Sequence, residues 1–202
     1  TEVIPHPLNG DWSQQRRFGI SQANSEWILF IDSDERVSPQ LAKSIQESIK
    51  GEPKAYWLRR YNLFHHNPAT HGVVRPDKVL RLMPREGATV EGAVHETFIS
   101  PYPQATLEGK LYHYTYDNWY QFFEKFNKYT TAAANKYKAQ GKSCSFLGDI
   151  LLRPSWAFFK IYILQGGILD GKIGFLLSIY HMMYTMTKYV KLYYLNKSNG
   201  QL

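Results

Sequence analysis

Residues 27–36 read WILFIDSDER. Trp27 to Ile31 have the length and the aromatic and β-branched composition of a strand, and the run stops abruptly at Asp32, Asp34 and Glu35. An apolar run without polar alternation implies a strand covered on both faces, as in a parallel sheet between helices. Upstream, DWSQQRRFGISQAN (residues 11–24) predicts a helix with Asp11 as its N-cap. Downstream, Ser38 is the candidate N-cap and Pro39 the first helical residue of SPQLAKSIQESIK (residues 38–50). Helix, strand and helix in succession give an α/β class.

Carboxylates at the carboxyl end of such a strand stand where open α/β sheets bind their ligands. Oxygen donors of this kind suit Mg²⁺ or Mn²⁺, and a divalent ion can bridge carboxylates to substrate phosphates. The plainer reading of DSDE is a polar turn that leads into the next helix. Further strands are predicted at AYWLRRYNLF (55–64), KVLRLMP (78–84) and TLEGKLYHYTY (106–116), joined by long polar connections of the functional or mobile kind. From Asp117 the period changes. Trp119, Phe122, Phe123, Phe126, Thr130, Ala133 and Tyr137 recur at helical spacing, and the helix should end near Gly141.

The chain has 202 residues, enough for one sizeable domain with an appendage. The single cysteine, Cys144, excludes an internal disulfide, and no secretory signal is visible at Thr1. The net charge of +7 is uneven: residues 1–115 carry 13 basic and 13 acidic side chains, residues 116–202 carry 11 and 4. These are the expected divisions, 1–115 catalytic and 116–202 helical. Basic charge with many aromatics fits a polyanion, either a nucleic acid or an anionic membrane surface. The longest uncharged stretch of the tail, Ile173 to Thr187, falls short of the roughly 20 residues needed to cross a bilayer. Residues 150–195 therefore predict an amphipathic hairpin lying on a membrane, bent at Gly166, Gly167, Asp170 and Gly171, with Lys188 and Lys191 among tyrosines at the interface. The competing reading packs these apolar faces on the catalytic domain.

QQRRFGISQANSEWILFIDSDERVSPQL resembles the segment of family 2 glycosyltransferases in which a helix leads into a strand ending in a D-x-D metal motif. IDSDERVSP, VEGAVHETF, FNKYTTAAA and RPSWAFFKIYILQGGILDGKIGF resemble, in order, the bacterial enzymes that add β-linked glucose to the inner-core heptose of lipopolysaccharide or lipooligosaccharide. The resemblance implies a GT-A type, Rossmann-like core, N-terminally truncated, because the family's opening nucleotide-binding segment is absent from the chain. It also implies a nucleotide-sugar donor, UDP-glucose, a lipid-linked glycan acceptor, a peripheral place on the cytoplasmic face of the inner membrane, and no nucleic acid.

Carried onto this chain, the resemblance makes Asp34 the principal metal ligand and Asp32 a contact to the donor ribose or a support for the metal. Arg16 and Arg17 are candidates to face the same site, or else an exposed basic helix face. Glu96 in VHETF stands where the family places the base that takes the acceptor proton, with Glu91 the alternative. His95 either orients Glu96 or is a loop histidine. His113 is a candidate metal ligand, or a packed residue between tyrosines. His65, His66 and His71 lack metal spacing and are assigned to an acceptor-contacting or disordered loop. The rival of another class is a non-catalytic basic module binding a membrane surface or nucleic acid, which leaves the DSDE and VHE carboxylates without a purpose.

Overall fold

A computed structural model describes residues 3–8, 11–64, 69–92, 96–116 and 118–198. The first helix, α1 (Trp12–Gln22), starts where expected, with the Asp11 carboxylate accepting from the Gln14 amide. Strand β1 is Trp27–Leu29, β2 is Glu35–Val37, and α2 (Pro39–Ser48) begins after Ser38, whose hydroxyl accepts from the Leu41 amide. The other strands are β3 (Ala55–Phe64), β4 (Asp77–Pro84), β5 (Thr89–Glu91), β6 (Thr97–Ile99), β7 (Gln104–Thr106) and β8 (Leu111–Tyr116). The main sheet runs β1-β4-β3-β8-β2, with β7 also on β3, and β5 and β6 form a separate pair.

The fold is mixed α/β, but the expected direction of the strand after α1 needs correcting. β1 pairs antiparallel with β4, as β2 does with β8, and β3–β7 is the parallel pair recorded among the described residues. What the WILFI run does report is one buried face and one partly covered face, on which Leu29 stays 39% exposed. Ile28 enters a cluster with Ala55, Leu80 and Met83, while Trp27 and Ile31 pack on another built from Leu41, Tyr56, Leu58, Leu82, Leu107 and Leu111. Continuous apolarity records cover above and below a strand and says nothing of its neighbour's direction.

The chain divides into two units: Thr1–Tyr61 with Asp77–His113, and Asn62–Pro76 with Tyr114–Leu202. In the second, α3 (Trp119–Ala139) packs along α5 (Gly171–Lys197), with Ala134, Ile150, Tyr189, Leu192 and Leu195 buried together. Between them, residues 146–164 form one helical segment: π-helical turns flank α4 (Arg153–Phe159) on both sides. A tight turn at Gly167–Asp170 precedes α5. Gly174 lets the two approach, since a Cβ there would lie 1.8 Å from the Gly167 carbonyl oxygen. Among the described residues no helix is long and apolar enough to cross a membrane.

His71 stands in a loop that is tied down: its amide and Nδ1 lie 2.8 and 2.9 Å from the Asp170 carboxylate, so the bend fixes the segment before it. Burial opposes the Asp170 charge, but the His71 and Thr70 hydrogen bonds outweigh it and hold its pKa below the ordinary value. Lys191 and Lys188 are engaged within their own unit. The Lys191 ammonium sits among the Asn127, Thr130 and Thr131 oxygens of α3, and Lys188 lies over the Tyr137, Tyr184 and Tyr189 rings. His65 and His66 lie outside the described residues.

One junction positions the carboxylate turn. The Ser38 hydroxyl also accepts from the Lys110 amide, and the Ser38 amide donates to the Lys110 carbonyl, which joins the start of α2 to the start of β8. Gly109 makes this approach possible: its φ is +101°, and a Cβ would meet the Leu41 amide nitrogen at 2.4 Å. Gly109→Ala is therefore expected to lower stability by about 2–4 kcal/mol, the scale of a strained backbone plus overpacking. Urea unfolding followed by tryptophan fluorescence checks it.

Candidate active site

The DSDE turn is closed by its own last residue. The Glu35 amide donates to the Asp32 carbonyl at 2.9 Å, and the Glu35 carboxylate accepts from the Asp32 amide at 2.9 Å. Glu35 is only 1% exposed, a burial that a lone carboxylate would not tolerate. Its counter-charges come from neighbouring strands: Arg81 of β4 at 3.4 Å and Arg60 of β3 at 3.7 Å. Arg60 is in turn held in a two-point pair by Asp77, at 3.0 and 2.6 Å.

Asp32 belongs to the same network. One carboxylate oxygen accepts from Arg16 of α1, and the other accepts from Arg81 at 2.7 Å. Burial works against its charge, but the Arg16 hydrogen bond and the Arg81 charge prevail and lower its pKa. The same pairing raises the Arg16 pKa against the effect of burial. Both guanidiniums also lie over aromatic rings, Arg16 at 5.7 Å from the Phe30 centroid and Arg81 at 5.6 Å from that of Phe98.

Glu96 is brought to this network. Its Oε1 stands 3.5 Å from Arg16 Nε, an ion pair without hydrogen-bond alignment, and both atoms are buried without a hydrogen-bond partner. A base candidate is thus aimed by an arginine that Asp32 holds on its other side. Arg17 goes elsewhere: it donates to the Val90 carbonyl and lies 3.9 Å from Asp11, because consecutive helical side chains diverge. The structure does not bring Arg17 into the cluster, contrary to the expectation that both arginines face one site. Glu91 is exposed on β5, and His95 lies outside the described residues.

Asp34 is set apart from Asp32. It is the most open carboxylate of the turn, with its side chain 43% exposed, and it meets His113 of β8, Nε2 to Oδ2 3.4 Å. The register that places Glu35 opposite His113 makes this meeting possible. One carboxylate and one imidazole are a fitting partial donor set for Mg²⁺ or Mn²⁺, which take few protein ligands and complete their shells with water and substrate phosphate. Charge supports the fit as well. Asp32, Glu35, Asp77 and Glu96 meet the guanidiniums of Arg16, Arg60 and Arg81, and Asp34 adds a fifth carboxylate to three cations. Among the described residues no group of three or more His, Cys, Asp or Glu is placed to hold a metal.

Sequence reading missed Arg60, Arg81 and Asp77. Arg60 and Arg81 lie inside predicted strands and Asp77 just before one, and the signal available was a charged residue in an otherwise apolar run: Arg81 in KVLRLMP is 5% exposed. Removing one partner of such a buried network leaves the others uncompensated. Glu35→Ala is expected to lower stability by about 3–5 kcal/mol, whereas Asp34→Ala, on an exposed carboxylate, should stay within about 0.5 kcal/mol. Because the folded pKa of Asp32 lies below the unfolded one, its stabilisation is complete above about pH 4 and is lost as pH falls through the folded value. The urea midpoints of wild type and Asp32→Asn, compared across acid pH, should converge in that order.

Over most of its length the chain is similar to known proteins. An uncharacterized glycosyltransferase of Rickettsia felis is 26% identical over 212 aligned positions that cover 98% of this chain and 73% of that protein. Similar proteins of the same description from Rickettsia conorii and Rickettsia bellii are 25% and 24% identical, covering 98% and 95% of this chain and 73% and 68% of theirs. Residues 1–135, which hold every member of the carboxylate and arginine cluster, match the family described as Glycosyl transferase family 2. The chain belongs to glycosyl transferase family 2 and is a glycosyltransferase, acting between a nucleotide-sugar donor and an acceptor.

Proposed function

We propose that the reaction is an inverting transfer of a hexose, glucose from UDP-glucose, to a heptose of a lipid-linked core oligosaccharide in lipopolysaccharide assembly, at the cytoplasmic face of the bacterial inner membrane. The observation that carries the inverting part is Glu96, a half-buried carboxylate whose Oε1 is held beside Arg16 and lacks a hydrogen-bond donor of its own. Such a group can accept the proton of an acceptor hydroxyl as that oxygen attacks the anomeric carbon from the face opposite the leaving phosphate. Arg16 orients the carboxylate, and its tie to Asp32 keeps the pair in place. Asp34 and His113 would hold the divalent cation, which when bound offsets the charge of the departing diphosphate. The donor and acceptor identities rest on the resemblance of IDSDERVSP, VEGAVHETF and the two C-terminal segments to the inner-core glucosyltransferases.

Two measurements test this chemistry. Glu96→Gln keeps shape and loses basicity, so it should retain UDP-glucose binding and lower turnover by roughly 10²-fold or more. Near-normal turnover would move the base to Glu91. In the intact protein Asp34→Ala should abolish Mn²⁺-dependent UDP-glucose binding in titration calorimetry without unfolding it; unchanged affinity would reduce DSDE to a structural turn.

The membrane part of the reading is supported by residues 146–169. Leu147, Leu152, Trp156, Leu164 and Leu169 are each more than half exposed, and Arg153 and Lys160 stand exposed among them. Apolar side chains interleaved with cations suit an anionic headgroup layer. Since Lys188 and Lys191 are engaged inside their own unit, the cations to test are Lys160 and Lys172, both exposed. Co-sedimentation with anionic phospholipid vesicles should weaken with salt and after Lys160→Glu with Lys172→Glu, and should be lost after Trp156→Glu with Leu164→Glu. Indifference to vesicles would assign this face to another partner.

A further inference from the structure

The helical unit carries a cluster of charge of its own. Three cations lie around the Tyr189 ring: Lys142 Nζ and Lys188 Nζ, each 5.3 Å from its centroid, and the Arg153 guanidinium at 5.7 Å. Lys142 and Lys188 share a second ring, that of Tyr137, at 4.2 and 5.7 Å, and the two ring centroids are 5.8 Å apart. Lys142 also donates to the Tyr189 hydroxyl at 3.3 Å. Tyr189 is only 4% exposed and belongs to the core of the unit, so the ring that gathers the cations is fixed. Cation–π contact holds a charge in place without neutralising it. The π-helical turn Phe146–Leu152 supplies the counter-charge: Asp149 accepts from the Ser145 amide at 2.8 Å and from Arg153 Nε. Burial opposes the Asp149 charge, but the Ser145 and Arg153 hydrogen bonds outweigh it and keep its pKa below the ordinary value. Among the described residues neither Lys142 nor Lys188 pairs with a carboxylate, so three cations stand against one anion.

Resting on the membrane reading above, we propose that Lys142, Arg153 and Lys188 form a discrete headgroup site for an anionic phospholipid, with its acyl chains against Leu152 and Trp156. The excess charge can be reached from outside, since Lys142 and Lys188 are half-buried and the Arg153 side chain is 59% exposed. Apolar surface adjoins it: Asp149 and Arg153 also line an open depression of about 380 Å³ with Gly148, Leu152 and Trp156, of which Leu152 and Trp156 are 60% and 58% exposed. Such a surface fits a molecule with concentrated negative charge at one end and hydrocarbon at the other. Arg153 belongs to both parts. Its Nε serves Asp149, and its terminal nitrogens form the fork that suits a phosphate. The count of charges sets the headgroup class: an excess of two positive charges is matched by a dianionic headgroup and half matched by a monoanionic one. A diffuse basic surface responds to total charge alone, whereas a built site also responds to how that charge is grouped.

The test is flotation of the full chain with two sets of vesicles equal in total headgroup charge, one containing cardiolipin, with two phosphates per headgroup, the other phosphatidylglycerol, with one. The cardiolipin vesicles should bind more tightly by about fivefold or more, the scale of one well-placed cation at a membrane surface. Lys142→Gln with Lys188→Gln should erase that preference while binding to both vesicles persists. Arg153→Gln, on an exposed side chain, should erase it as well, and gives the same answer if the lysine pair disturbs packing. Equal binding of the two vesicles by the wild type, or a preference that survives Arg153→Gln, would overturn the proposal. So would inorganic phosphate that removes the preference where chloride of the same ionic strength does not, which would assign the cluster to a free phosphate ion. Vesicle binding itself separates the two readings: if it persists without the preference, only the headgroup site fails, and if both vesicles are ignored, the membrane reading fails with it.

Discussion

A buried carboxylate, Glu35, is the constraint on which the site depends. It sits almost wholly out of water, and such a charge survives only if its lone pairs are met. They are met by the Asp32 amide, Arg81 and Arg60. This requirement fixes the DSDE turn against β3 and β4 and brings two further arginine contacts into register. A hydrophobic residue would hold the turn with less penalty, but it could not orient guanidiniums. The network specifies direction more than it adds stability.

From that constraint the four neighbouring carboxylates acquire different tasks. Asp32 is consumed by Arg16 and Arg81, and its lowered pKa reflects this pairing. Glu35 closes the turn. Asp34 is left outward, near His113, and Glu96 is aimed by Arg16 without being fully satisfied. The arrangement leaves Asp34 as the open carboxylate of the turn and engages Arg60 and Arg81 with Asp77, Glu35 and Asp32.

Much of this was legible in the sequence, and the reasons differ from residue to residue. Asp11, Ser38 and Pro39 announced two helix starts because capping is a local event, decided within three or four residues. The Gly166–Gly171 bend was visible for the same reason, and Gly166 and Gly171 adopt the positive φ that the turn needs. Strand direction was not legible, since the apolarity of WILFI measures cover and not pairing. Nor was the partition of Arg16 from Arg17: one residue along a helix turns the side chain by about 100°, and only the placement of Asp32 and Val90 tells which one enters the site. Arg60, Arg81 and Asp77 could not be assigned from spacing, because their partners lie 17 to 49 residues away in the chain. Nor could the placement of Lys191, whose Asn127, Thr130 and Thr131 partners belong to α3.

The claim that the carboxylates divide into structural and available ones is tested most directly by Mn²⁺ added to the protein with UDP, followed through the assigned histidine ring resonances. Paramagnetic broadening should reach His113, and it should disappear in Asp34→Ala but persist in Asp32→Asn. Broadening that persists in Asp34→Ala and is abolished by Asp32→Asn, or that spares His113, would contradict the account.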